Sequence, residues 1–286
     1  MSRTVFVNGA FVPYEEAKIP IMDRGFLFAD GIYEVSAVLD GRLVDSEGHF
    51  SRLDRSLREI RIHNPYGAAE WGRLCEELVR RNGLAEGLVY MQVTRGVAER
   101  DFAFPKENPP TVVMFTQAKT IRRAPQAETG VGVITVPDLR WKRRDIKSVA
   151  LLAQVLAKQA AAEAGVAEAW MLEDGFVTEG SSSTAFIITK DKRIVTRPLS
   201  NAVLPGITRL SVMRLAAENG LLVEERLFRL DEAHAAAEAF LTSASMLVTP
   251  VVTIDGEPVA DGRPGPLTRR LRTLYLEMAD APGVAA

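Results

Sequence analysis

The chain has 286 residues and a net charge of −2, with 47% apolar and 25% charged residues. These values are typical of a globular protein with a sizeable core and give no indication of binding to nucleic acid or to an anionic membrane. A single cysteine, Cys75, excludes an intrachain disulfide, and the three histidines lack zinc-type spacing. We find no apolar run of membrane-spanning length and no secretory signal, so we expect a cytoplasmic location and no bound metal.

The first part of the chain predicts hairpins, then helices, then two strands. Asn8-Gly9 and Asp40-Gly41 each separate two apolar runs, a pattern typical of tight hairpin turns. Apolar residues recur at helical spacing from Phe50 to Ile60. A second helix is predicted over 68–81, because Asn82-Gly83 follows as a stop signal. The segments LVYMQVTRG and TVVMFTQ then predict strands.

The chain is predicted to divide into two domains. Residues 118–130, AKTIRRAPQAETG, are polar and aperiodic and contain a proline, so we interpret them as a linker. The residues on either side of the linker are predicted to form a smaller N-terminal α/β domain (1–117) and a larger C-terminal α/β domain (131–286).

The second part predicts alternating strands and helices. It opens with the strand VGVITV, and an alanine-rich helix is predicted over about 149–164. Asp174-Gly175 and Asp255-Gly256 predict two more hairpins. A helix is predicted from near Ile207 to Asn219, and a last helix carries on one face Leu267, Leu271, Leu274 and Met278.

Four short stretches hold residues with possible chemical roles. Each alone has an ordinary structural interpretation: an edge lysine whose amine reaches water, a turn acid, a helix start after a proline, or an exposed helix arginine. The residues are Lys147 between a strand and a helix, Glu179 in VTEGSSSTAF, Gly206 in LPGITR, and Arg52 in HFSRLDRSL.

Together these four residue types match the needs of pyridoxal 5'-phosphate. The cofactor requires a lysine amine for a Schiff base and a carboxylate at its pyridine nitrogen. Its phosphate favours backbone N–H groups at a helix N-terminus and an arginine fork. The order and wording of the stretches, rather than composition, point to this cofactor.

The sequence resembles the fold-type IV pyridoxal-phosphate enzymes, and among them the D-amino-acid aminotransferases. The resemblance covers nearly the whole chain and implies a two-domain, mixed α/β (α+β) fold. It is carried by seven stretches in order: DRGFLFADGIYEV (23–35), HFSRLDRSL (49–57), QVTRGVAERDFAFP (92–105), DIKSVALLAQVLAKQ (145–159), VTEGSSSTAFI (177–187), LSNAVLPGITR (199–209) and DGRPGPLTRRL (261–271).

The resemblance implies roles for residues that match the family's cofactor motifs. Lys147 matches the Schiff-base lysine and proton shuttle, and Glu179 matches the partner of the pyridine nitrogen. Arg52 matches the phosphate arginine, and Leu204 matches a residue against one face of the ring. Further phosphate contacts are implied at Gly206, Ile207, Thr208, Ser243 and Ala244.

Substrate residues are also implied, with departures from the family pattern. Tyr33 matches a tyrosine on the substrate side, and Arg100 matches an arginine that binds the substrate carboxylate. Phe102 stands where these enzymes often have a histidine, which removes a donor and adds an apolar wall. Thr184 stands where many relatives have asparagine, and Ala244 offers only a backbone N–H where a hydroxyl is common.

The implied activity is transfer of an amino group from a D-amino acid, such as D-alanine, to a 2-oxo acid by a ping-pong mechanism through a Schiff base on Lys147. The resemblance also implies a homodimer. Phe102 favours an alternative, an (R)-selective amine:pyruvate transaminase. Branched-chain aminotransferases and aminodeoxychorismate lyases share the frame. A non-enzymatic alternative is a protein that binds a phosphate compound without turnover.

Overall fold

The computed structural model describes residues 3–281, which divide into two compact units. The first unit comprises the residues up to Thr120 together with Ile146–Ala150, and the second comprises Ile121–Asp145 and Leu151–Ala281. Each unit has its own buried apolar core. Because Ile146–Ala150 belongs to the first unit, that unit is not one continuous stretch of the chain, as the sequence-based boundaries assume. Those boundaries remain predictions.

The first unit contains one antiparallel sheet. Its strands are β1 (Thr4–Val7), β2 (Ala10–Pro13), β3 (Gly31–Leu39), β4 (Arg42–Leu43), β5 (Gly87–Thr94) and β6 (Thr111–Ala118). Within the described residues the strand order is β2-β1-β6-β5-β3-β4. Asn8-Gly9 joins β1 to β2 and Asp40-Gly41 joins β3 to β4, all four residues having positive φ, so both predicted hairpins are confirmed.

Two long helices pack in the first unit. Its helical segments are a 3-10 turn (Tyr14–Glu16), α1 (Arg24–Phe28), α2 (Ser46–Glu59) and α3 (Ala68–Asn82). The apolar stripe of α2 is buried, as its spacing predicts, and α3 ends where Gly83 adopts the left-handed conformation. Trp71, Leu74 and Cys75 lie in the core of this unit.

The segment Ile146–Ala150 extends beside the start of β3. The Tyr33 N–H donates to the carbonyl of Lys147 at 2.9 Å, and the Val149 N–H donates to the carbonyl of Gly31 at 3.0 Å. Ile146 is buried in the core of the first unit. Because these backbone groups bond to β3, the alanine-rich helix begins only at Leu152 rather than near 149.

The second unit contains a larger mixed sheet. Its strands are β7 (Val131–Pro137), β8 (Glu168–Glu173), β9 (Phe176–Gly180), β10 (Thr184–Ile188), β11 (Arg193–Thr196), β12 (Leu222–Glu225), β13 (Glu238–Ser243), β14 (Leu247–Ile254) and β15 (Glu257–Pro258). Among the described residues the order is β12-β11-β10-β13-β14-β7-β8-β9, and β15 pairs with β14. The pairs β11–β12, β14–β7 and β7–β8 are parallel and the others antiparallel.

Among the described residues, the second unit contains the three predicted helices and two short helices that were not predicted. They are α4 (Pro125–Thr129), which lies in the predicted linker, α5 (Leu152–Glu163), α6 (Ile207–Glu218), α7 (Leu230–His234) and α8 (Pro266–Asp280). The fully buried face of α8 carries Leu271, as predicted, but also the charged Arg272. The Arg272 guanidinium donates to several backbone carbonyls, which satisfies its polar groups inside the fold. Of the helices in residues 3–281, none combines the length and apolarity needed to cross a membrane.

Candidate active site

Lys147 lies half-buried in the first unit, on the segment beside β3. Its Nζ atom is 4.2 Å from the centroid of the Tyr33 ring. Tyr33 stacks on Tyr90 at 5.6 Å, and Tyr90 stacks on Phe115 at 4.6 Å, so three rings form a continuous platform. Among the contacts of residues 3–281, no carboxylate pairs with this amine. The amine therefore faces an aromatic surface instead of an acid, which leaves its nitrogen suited to acid–base or nucleophilic work.

Arg52 is held by a buried acid that the sequence analysis did not identify. Its Nε and Nη2 atoms donate to the two oxygens of Glu34 at 2.7 and 2.8 Å, and His49 Nδ1 lies 2.7 Å from the same carboxylate. Burial alone would raise the pKa of Glu34, but Arg52 and His49 outweigh it and lower that pKa to about 2. Glu34 is thus an anion that fixes the plane of the Arg52 guanidinium. A charged residue inside the apolar strand GIYEV was the available signal.

Arg100 and Phe102 lie in the loop between β5 and β6. The Arg100 guanidinium is 5.3 Å from the centre of the Phe28 ring and 5.6 Å from that of Phe102, and the two rings are 5.4 Å apart. The Phe102 side chain is 77% exposed. The loop therefore presents a positive charge beside an apolar wall, which is the combination that a molecule bearing a carboxylate and a small apolar group would contact.

Glu179 is buried near the end of β9 in the second unit. Arg140 Nη1 donates to Glu179 Oε1, and the Leu204 N–H lies 3.1 and 3.2 Å from its two oxygens. Burial raises the pKa of Glu179, while Arg140 and the Leu204 N–H oppose that shift. Arg140 also bonds to Asp138, so its guanidinium is held in place behind Glu179. Nothing in the run DLRWKRR distinguishes Arg140 from its neighbouring arginines, and the sequence analysis missed it.

The serine run after Glu179 is anchored by another buried acid. Ser182 Oγ and Ser183 Oγ donate to Glu168 Oε2 at 2.9 and 3.0 Å, and Ser181 Oγ donates to Glu168 Oε1. Glu168 is fully buried on β8. Hydroxyl donors satisfy this carboxylate, and the turn that follows Glu179 is therefore fixed in shape.

The N-terminus of α6 is suited to an anion. Gly206 is the N-cap residue and supplies no side-chain cap, and Ile207 and Thr208 are buried in the first turn. A Cβ atom on Gly206 would lie 2.8 Å from Thr184 Oγ1, so a larger residue here would require the Thr184 side chain to move. The first-turn N–H groups of this twelve-residue helix have no side-chain acceptor from the N-cap, and the helix dipole favours negative charge there.

Ser243 and Ala244 follow the end of β13 in the same unit. Ser243 Oγ lies 3.4 Å from Ser245 Oγ, and both Ser243 and Ala244 are partly buried. These residues therefore offer a hydroxyl and a backbone N–H, as their sequence position implies. The adjacent arginines at the start of the Lys147 stretch are paired instead, Arg143 with Asp145 and Arg144 with Glu173.

Each unit, taken by itself, contains donors of a kind that pyridoxal 5'-phosphate uses. An amine without an acidic partner suits its aldehyde, a buried carboxylate suits its pyridine nitrogen, and an uncapped helix start suits its phosphate. Donors of these kinds are what a pyridoxal-phosphate enzyme requires.

The chain belongs to the class IV aminotransferases, because the sequence model of that family, described as amino-transferase class IV, matches residues 31–254. The D-alanine aminotransferase of Staphylococcus aureus strain MSSA476 is 43% identical over 269 residues, which are 94% of this chain and 95% of that protein. The D-alanine aminotransferase of Bacillus licheniformis is 40% identical over 94% of each chain.

Solved structures show the same fold. A branched-chain amino acid aminotransferase of T.th., solved with pyridoxamine 5'-phosphate, has a TM-score of 0.90 and 28% identity, covering 99% of this chain and 97% of that one. The predicted fold class, family and cofactor are confirmed. The protein is a pyridoxal-phosphate-dependent aminotransferase, and its substrates are an amino donor and a 2-oxo acid acceptor.

Proposed function

We propose that the protein transfers the amino group of a D-amino acid, such as D-alanine, to a 2-oxo acid. The observation that carries the proposal is the 43% identity, over 94% of the chain, to a protein named D-alanine aminotransferase. Arg100 supports it, because an exposed guanidinium can bind a substrate carboxylate with charge-assisted hydrogen bonds.

In this proposal each predicted residue has a separate task. In the first unit, Arg52 would bind the phosphate group and Tyr33 would line the substrate side. In the second unit, Gly206, Ile207 and Thr208 at the α6 N-terminus would bind the phosphate group, assisted by Ser243 and Ala244, and Leu204 would contact the ring. When bound, pyridoxal 5'-phosphate supplies an electron sink for negative charge at the substrate Cα.

The proton transfers belong to the chain's own groups. Arg100 binds the donor's carboxylate. The Lys147 amine then takes the Cα proton, a step worth roughly 10²–10⁴-fold in rate. Glu179, which accepts a hydrogen bond from Arg140, would place its negative carboxylate beside the pyridine nitrogen. The acceptor 2-oxo acid uses the same groups in reverse, so the two substrates react in separate half-reactions.

A single-turnover experiment with three donors tests the proposal. Purified holoenzyme is mixed separately with D-alanine, L-leucine and (R)-1-phenylethylamine, and the visible band of the bound cofactor is followed. We expect rapid loss of the band with D-alanine and little change with L-leucine. Rapid loss with L-leucine but not with D-alanine would contradict the proposal.

The same experiment tests a second candidate, an (R)-selective amine:pyruvate transaminase. Phe102 favours it, because this ring is 77% exposed beside Arg100 and offers an apolar contact instead of a hydrogen-bond donor. A faster loss of the band with (R)-1-phenylethylamine than with D-alanine would establish this activity in place of the first.

We also propose that the protein is a cytoplasmic homodimer. Several large apolar side chains among the described residues are between 73% and 76% exposed, and a second chain that covered them would remove apolar surface from water: Ile21, Phe26, Leu139 and Leu152. The one cysteine is buried and unpaired, in keeping with a reducing compartment. Sedimentation equilibrium should give a mass of twice 31.4 kDa, and a mass of 31.4 kDa would contradict the dimer.

A further inference from the structure

We propose that Arg24 is a positioning residue that fixes the loop carrying Arg100 and Phe102, and so sets the enzyme's affinity for the substrate carboxylate. The inference rests on the proposed function, in which Arg100 binds that carboxylate. Neither the sequence motifs nor the proposed proton transfers give Arg24 a role.

Arg24 bonds directly to the backbone of the loop. Its Nη1 atom lies 2.5 Å from the carbonyl oxygen of Asp101 and 3.4 Å from that of Ala103, and its Nη2 atom lies 3.4 Å from that of Phe102. Arg24 is only 3% exposed although the loop residues around it are exposed. Three consecutive carbonyls therefore converge on one buried guanidinium, immediately after Arg100.

The guanidinium is itself held by a shared acid. Asp30 accepts from Arg24 Nε at 2.8 Å and from Arg95 Nε and Nη2 at 2.7 and 2.9 Å. Arg95 also donates to the carbonyls of Ile60 and Arg61 at the end of α2. Burial would raise the pKa of Asp30, but the two arginines outweigh it and lower that pKa. The acid thus stays charged and links Arg24 to Arg95 and, through Arg95, to the end of α2.

The loop's first residues are anchored to the same group of residues. The Arg24 N–H donates to the carbonyl of Gly96 at 2.8 Å, and Gly96 has a φ of +85°. A Cβ atom at Gly96 would lie 2.1 Å from the carbonyl oxygen of Pro109. The two ends of the loop therefore approach each other so closely at Gly96 that only glycine fits there. Asn108 Nδ2 donates to the carbonyl of Arg95 at 2.5 Å.

Arg24 and Arg100 also share one aromatic ring. The Phe28 ring lies 4.8 Å from the Arg24 guanidinium carbon and 5.3 Å from that of Arg100. Displacement of the loop would move Arg100 away from this ring and change the direction of its guanidinium. Loss of the Arg24 contacts should therefore weaken the binding of the substrate carboxylate.

Lysine at position 24 separates charge from geometry. Arg24→Lys keeps a cation for Asp30 but lacks the planar fork that serves three carbonyls at once. We expect the KM for D-alanine to rise roughly ten-fold while kcat changes less than about two-fold, because Arg24 acts on the position of Arg100 and not on proton transfer. Arg80→Lys, on the exposed face of α3, is the matched control and should leave both constants unchanged.

A double-mutant cycle with Arg100→Ala decides whether Arg24 acts through Arg100. The expected result is that Arg24→Lys raises the KM for D-alanine in the wild type but not in the Arg100→Ala background. An equal rise in both backgrounds, or a fall in kcat alone, would overturn the inference. Asp30→Asn provides a second variant if Arg24→Lys fails to fold, and the same non-additivity is expected for it.

The outcome for the wild type separates the inference from the proposed function. A wild-type enzyme that does not turn over D-alanine would overturn the proposed function and the inference with it. Normal wild-type turnover of D-alanine with an additive cycle would overturn the inference alone.

Discussion

Replacing Lys147 with alanine is expected to abolish turnover. The substitution removes the amine that takes the Cα proton, and no other amine is described next to Tyr33 in residues 3–281. Loss of a positioned acid–base group and of a covalent attachment point together should lower kcat by roughly 10⁴-fold or more. The fold should persist, because this segment is held to β3 by backbone bonds at Tyr33 and Val149 that need no lysine side chain.

Two measurements distinguish loss of the amine from loss of structure. Lys190→Ala removes an exposed lysine from a turn of the second unit and should retain wild-type kcat. Addition of a small primary amine, such as methylamine, to Lys147→Ala should restore part of the activity, since the missing proton acceptor is supplied from solution. Activity of Lys147→Ala above about 1% of the wild type, without added amine, would contradict the role given to Lys147.

Hairpin turns and a helix end were predicted well from the sequence, because at these positions the residue type determines the backbone conformation. The dipeptides Asn8-Gly9 and Asp40-Gly41 have positive φ at both positions, and Gly83 ends α3 in the left-handed conformation. These outcomes depend on neighbouring residues only, so the sequence carries them in full. The order of motifs likewise sufficed to predict the family and its cofactor, because a resemblance over the whole chain does not depend on knowing any side-chain contact.

Features that depend on distant partners were not predicted. The alanine-rich helix starts three residues late because Lys147 and Val149 bond to a strand more than a hundred residues earlier. Arg272 lies on the buried face of α8, where apolar spacing predicts no charge, since carbonyls from separate segments satisfy it. Tertiary contacts override local periodicity in both cases.

The candidate site shows the same division. Its candidate chemistry-bearing residues were predicted one by one through motifs, but the residues that contact them were not. Glu34 contacts Arg52, Arg140 contacts Glu179, and Arg24 contacts the loop that carries Arg100. Each of the three is a buried charged residue whose role depends on its partner. Such pairs have no fixed spacing in the sequence, so they can be identified only in the folded structure.

Replacing Glu179 with glutamine is expected to lower kcat by roughly 10²–10³-fold. Glutamine keeps the size of the side chain but removes the negative charge that faces the pyridine nitrogen in the proposed site. It also leaves the Arg140 guanidinium with Asp138 as its described carboxylate partner, so the local charge becomes more positive. Steady-state kinetics with D-alanine and a 2-oxo acid measure the loss. Glu257→Gln, at an exposed position of β15, is the control and should behave as the wild type.

The pH profile tests whether the charge of Glu179 is what matters. Burial raises the pKa of Glu179, so this carboxyl holds its proton to a higher pH than an exposed glutamate does. In the loaded enzyme a protonated pyridine nitrogen beside this carboxyl would lower that pKa, so the anionic form would persist to lower pH and its loss would appear as an acid limb of the profile. Glu179→Gln should lack this limb, because glutamine does not titrate, whereas Glu179→Asp should retain one at intermediate kcat. An acid limb that is identical in the wild type and in Glu179→Gln would assign the titration to another group and remove the charge-based role of Glu179.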